Sequence, residues 1–125
     1  MENRQLYFLM QPDNHKIFRR KTMKLNKEMG NILKKRKELD INDDFGIEKC
    51  WDEMTKNLTK NEEETIDYLN GCDKDDLYYI SEIFEDISEK LQSQRFIAVL
   101  RKLDKKFHEL DMTKDIDIAE SYITM

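Results

Sequence analysis

The chain has 125 residues, of which 39% are charged and 38% hydrophobic, with a formal net charge of −5. That length suits one domain with one core, and three glycines and one proline are too few for the turns of an all-β fold. No apolar run approaches the roughly 18 residues of a membrane span. Leu6 to Met10 is short and lacks the basic lead and cleavage site of a signal peptide, so a cytoplasmic protein is expected.

Residues 1–14 read as a short strand or an extended arm, with Tyr7, Phe8 and Leu9 turned to the core and Pro12-Asp13-Asn14 as a turn. The helical domain, residues 15–125, follows. A basic helix is predicted over 15–39, with Phe18, Leu25, Met29, Ile32 and Leu33 at helical spacing and Gly30 weakening it. Asp40 to Gly46 reads as a connection. The next helix, 47–58, places Ile47, Cys50, Trp51, Met54 and Leu58 on one side.

Asn61, with Glu64 three residues on, marks the start of a helix over 62–70 that buries Ile66 and Leu69, and Gly71 reads as its left-handed stop. Asp73 starts a long helix reaching Leu91. Ser93 starts another over 94–107, with Phe96, Ile97, Leu100, Leu103 and Phe107 inward. After a loop from His108 to Met112, Thr113 caps a last helix over 114–123 carrying Ile116, Ala119 and Ile123. The fold class is therefore all-α, a single domain of five to six helices in stacked antiparallel hairpins.

Motifs for phosphate loops, dinucleotide binding, nucleophile turns and zinc proteases are missing. His15 and His108 are far apart, and Cys50 and Cys72 lack metal-ligand spacing, so no metal and no cofactor is expected. The cysteines read as buried free thiols in a reducing compartment. Together these point to a binding protein rather than an enzyme.

Charge is unevenly divided: residues 1–40 sum to +6 and residues 41–125 to −11. A basic helix packed beside acidic ones would account for that, and so would a basic partner for the acidic part. Lys16 to Lys27 and Lys34 to Lys37 could also track phosphates, but the acidic remainder would repel a polyanion.

The segment 73–91 carries the sharpest signal. Wound at about 100° per residue, it separates into two faces. Leu77, Ile80, Ile83, Phe84, Ile87 and Leu91 form an apolar stripe, while Asp75, Glu82, Glu85, Asp86 and Glu89 collect opposite it with Tyr78 among them. Tyrosine is apolar in body with a polar tip, which suits either an interface anchor or packing under a neighbouring helix. Glu62 and Glu63, at an adjacent helix start, extend the candidate partner-binding set.

A family likeness rests on Cys50-Trp51-Asp52-Glu53, Asn61 to Ile66, Tyr68-Leu69-Asn70, Asp76-Leu77, Ile80 to Ser88, Leu91-Gln92-Ser93, Phe96-Ile97, Leu110-Asp111-Met112 and Asp115-Ile116. Over about residues 50–123 the chain resembles small helical immunity proteins encoded beside polymorphic toxins in bacilli and related bacteria. The resemblance implies a cytoplasmic protein that binds a cognate toxin domain, often a basic nuclease, and covers its active site or substrate entry. Other readings are a helical adaptor or scaffold that takes a peptide in a groove between helices, and a nucleic-acid-binding regulator that uses the basic first helix.

Overall fold

The computed structural model describes the backbone of residues 12–124 and the side chains of residues 22–124. The expected N-terminal strand or arm lies almost entirely outside the described residues. The architecture is all-α, in the order α1 (Pro12–Glu38), α2 (Asp44–Leu58), α3 (Glu62–Asn70), α4 (Lys74–Ile80), a 3-10 turn (Ser81–Ile83), α5 (Phe84–Leu91), α6 (Gln94–Lys106), a second 3-10 turn (His108–Leu110) and α7 (Thr113–Ser121).

One core joins all seven helices. Leu25, Met29, Ile32 and Leu33 of α1 meet Cys50, Met54 and Leu58 of α2, and the cluster continues through Leu69, Leu77, Ile80, Ile83, Phe84 and Ile87 to α6 and α7. Helix α1 packs on α2, α3 and α4, α3 packs on α6, and α7 packs on α5 and α6. Phe84 and Phe96 meet edge to face with centroids 6.4 Å apart, the arrangement that sets a positive ring edge on a negative ring face.

Side-chain caps fix several boundaries. Asn61 accepts from the Glu64 amide at 3.0 Å, Asp73 from Asp76 at 2.9 Å, and Ser93 from Phe96 at 3.0 Å, each satisfying an amide that has no partner within its helix. Asp43 does the same for Gly46 at 2.9 Å. Helix α2 therefore begins at Asp44, three residues before the predicted start.

The structure corrects other readings. Pro12, expected in a turn, opens α1, where its fixed φ suits the first helical position. Gly71 ends α3 at φ −100°, not in the left-handed region. That conformation occurs instead at Gln92 (φ 50°) and Asp111 (φ 51°). Thr113 does not cap α7; Met112 holds that position, and the Thr113 hydroxyl donates to Asp104 at 2.6 Å. Thr65, rather than Ile66, is the fully buried partner of Leu69, and its hydroxyl donates to the Leu58 carbonyl at 2.7 Å.

The largest correction falls on residues 73–91. They do not form one helix: α4 ends at Ile80, a 3-10 turn follows, and Ile83 leaves the helical region at φ −124°, ψ 16° before α5 begins. The Ser81 hydroxyl donates to the Tyr78 carbonyl at 2.6 Å, satisfying an acceptor near the break. Leu77, Ile80, Ile83, Phe84 and Ile87 are all buried on both sides of the bend.

Candidate functional site

The bend between α4 and α5 brings Glu82 within reach of donors from α1 and α2. The last turns of α1 lie against α4 and the 3-10 turn. Arg36 donates from Nε to Glu82 Oε1 at 3.0 Å and from Nη2 to Glu82 Oε2 at 2.8 Å, and the Trp51 indole donates to the same Oε1 at 3.0 Å. Glu82 holds the Arg36 guanidinium above its ordinary pKa. One turn away, Lys37 pairs with Asp76 at 2.7 Å, and that hydrogen bond likewise raises the ammonium pKa. Tyr79 lies under both cations, 5.1 Å from the guanidinium carbon and 5.8 Å from the Lys37 nitrogen.

Glu62 and Glu63 are also engaged within the chain. Glu62 accepts from the Ser93 hydroxyl and from Arg95 at 3.2 Å, and Arg95 also pairs with Glu63. That bond holds the Glu63 carboxyl below its usual pKa. Three of the eight candidate side chains are thus turned to the protein's own donors: Glu82, Glu62 and Glu63. The expectation that Glu82 would face outward with Asp86 and Glu89 fails because Glu82 sits at the bend, within reach of Arg36 and Trp51.

The other five stay accessible. Asp75, Glu85, Asp86 and Glu89 are exposed, and among the described residues no Lys or Arg forms an ion pair with them. Tyr78 is 54% exposed, with its ring edge-on to Tyr79 at 5.2 Å. It is therefore propped by a neighbour rather than covered by one. Trp51, read as a core residue, is half-buried at the rim, where its N–H can reach Glu82.

A shallow cleft of about 330 Å³ opens beside Tyr78, lined also by Ser81, Glu82, Phe84, Glu85, Asp115 and Ile118. Asp115 and Ile118 come from α7, which α5 carries against this face through packing and a 2.6 Å bond from the Ser88 hydroxyl to the Ala119 carbonyl. Sequence reasoning missed both. The available signal was Ile118 itself, an apolar residue off the Ile116–Ala119 stripe and 41% exposed.

Among the described residues no cluster of three or more His, Cys, Asp or Glu is placed to hold a metal ion, and no helix is long and apolar enough to cross a membrane. His108 is exposed in the second 3-10 turn. Cys50 and Cys72 are buried free thiols, and burial pushes the Cys72 thiol up to about 12. Comparison with known proteins returns no matching protein-family profile, no matching curated protein and no matching solved structure.

Proposed function

We propose that this chain is a non-enzymatic, immunity-type protein of the cytoplasm that binds a basic protein domain, such as a toxin nuclease, and blocks it by covering its cleft. The contact face is Asp75, Tyr78, Glu85, Asp86 and Glu89, joined by Asp115 and Ile118. The observation that supports it most is the contrast in pairing. The chain's own cations take up Asp76, Glu82, Glu62 and Glu63, while Asp75, Glu85, Asp86, Glu89 and Asp115 are exposed and, among the described residues, form no ion pair with Lys or Arg.

The chemistry suits a cationic partner. A lysine or arginine entering the cleft would set its aliphatic stem on Ile118 and Tyr78 and its charge between Glu85 and Asp115. A tyrosine at the centre of a charged rim is a common source of binding energy, and long-range attraction would speed encounter. Two buried, unpaired thiols fit a reducing compartment. The test is purification of the tagged chain from its native host. The reading expects a stoichiometric protein partner with a basic domain; recovery of the chain alone, or with an acidic partner, overturns it.

A further inference from the structure

Of the chain's three glycines, one follows an asparagine, at Asn70-Gly71. That pair closes α3: Asn70 is the last helical residue and Gly71 the cap after it. Both are exposed, and among the described residues the Asn70 side chain forms no hydrogen bond. Asn57 and Asn61 differ. Asn57 donates to the Glu53 carbonyl at 2.9 Å and accepts from Lys60 at 3.3 Å, and Asn61 accepts from the Glu64 amide at 3.0 Å. The Asn70 carboxamide has no such tie and is free to turn toward the nitrogen of the next residue.

That nitrogen belongs to a residue with no side chain to block it and with wide backbone freedom, which lets a five-membered ring close. In the folded chain the Gly71 amide donates to the Tyr68 carbonyl at 3.2 Å, at the long end of the normal range. Only the last turn of α3 has to open to release it, and helix ends open at little cost.

We propose that Asn70-Gly71 is a site of spontaneous deamidation, and that conversion weakens the end of α3. The Gly71 nitrogen gives up its proton and bonds to Asn70 Cγ. The Cγ–Nδ2 bond breaks, and the leaving group takes up a proton and departs as ammonia. Water then opens the cyclic imide. Cleavage at Cγ leaves an ordinary aspartate. Cleavage at the main-chain carbonyl leaves an isoaspartate, in which the backbone runs through the side chain and gains a methylene.

Both products place a carboxylate at the negative end of α3, on an open groove of about 520 Å³ that Asp67, Asp73 and Asp76 already line. The isoaspartate also shifts the Gly71 and Cys72 amides off the Tyr68 and Leu69 carbonyls. Leu69 and Cys72 are buried, so that shift reaches the core.

The test incubates the purified full chain in mildly alkaline buffer and follows every asparagine by peptide mass mapping. Asn70 is expected to convert ahead of the others, faster as pH rises, and to give both products, and the converted protein is expected to unfold at lower urea than fresh protein. Gly71→Ala is expected to fold, because an added Cβ meets nothing nearer than the Tyr68 carbonyl at 3.9 Å, and to suppress conversion by crowding the attacking nitrogen. Asn70 left intact over the time in which the same chain converts in guanidinium chloride overturns the site, as does equal conversion in wild type and Gly71→Ala. An unchanged urea midpoint for the converted protein overturns the proposed weakening of α3.

Discussion

Arg36 and Glu82 are 46 residues apart in sequence, yet their side chains meet in a two-bond ion pair, at 3.0 and 2.8 Å. This pair joins the basic half of the chain to the acidic half. The side chains are only 12% and 27% exposed, so water screens the pair less than a typical surface contact. Glu82→Ala strands the guanidinium and the Trp51 N–H together and is expected to cost about 2 kcal/mol, measured by urea unfolding. Arg36→Lys does not restore it, because an ammonium lacks the planar fork that meets both oxygens.

Two glycines separate by their surroundings. Among the described residues nothing lies within 4 Å of a Cβ added at Gly30, which is in mid-helix. Gly30→Ala is expected to stabilise by about 0.5–1 kcal/mol. At Gly46 the added carbon would come within 2.7 Å of the Asp43 carboxylate that caps α2. Gly46→Ala displaces that cap, at about 1 kcal/mol, and shows no net gain. Urea midpoints of the two variants check the contrast.

The two left-handed residues also part. Asp111 bears the conformation at φ 51° and its side chain forms no hydrogen bond or ion pair among the described residues, so Asp111→Gly is expected to stabilise by about 1 kcal/mol. Gln92 uses its amide to tie the chain end: Nε2 donates to the Tyr122 carbonyl at 2.9 Å and Oε1 accepts from the Thr124 amide at 2.8 Å. Gln92→Gly relieves the backbone but frees residues 122–124, which amide hydrogen exchange would report as faster exchange there.

Burial raises the Cys72 thiol to about 12 and also raises the pKa of Tyr68. Both groups stay neutral in the fold at a pH where they ionise once unfolded. The unfolded chain then binds fewer protons, so stability is full below about pH 8.5 and falls as pH rises toward 12. Cys72→Ala is expected to make that alkaline slope shallower, measured by urea unfolding at pH 8 and pH 10.5. At pH 8, native Cys72 should react with a thiol reagent at least about tenfold more slowly than in denaturant.

The helical class was legible because apolar spacing and caps agree. Asn61, Asp73 and Ser93 act as their positions predict. The bend at Ile83 was not legible. No Gly or Pro marks it, and Leu77, Ile80, Ile83, Phe84 and Ile87 keep helical spacing straight through it. Because the bend hides in that periodicity, the facing of Glu82 could not be read either. Its partners Arg36 and Trp51 lie 46 and 31 residues away, and only packing brings them together.

The proposed function rests most directly on the exposed carboxylates Glu85, Asp86 and Glu89 of α5. The decisive measurement is the affinity of the co-purifying basic partner for wild type and for E85K/D86K/E89K, with unfolding of each variant as the fold control. None of these carboxylates pairs with Lys or Arg among the described residues, so the reversal is expected to leave the fold intact. Affinity should fall more than about tenfold, with a slower, less salt-sensitive association rate. Unchanged affinity and an unchanged salt dependence would contradict it.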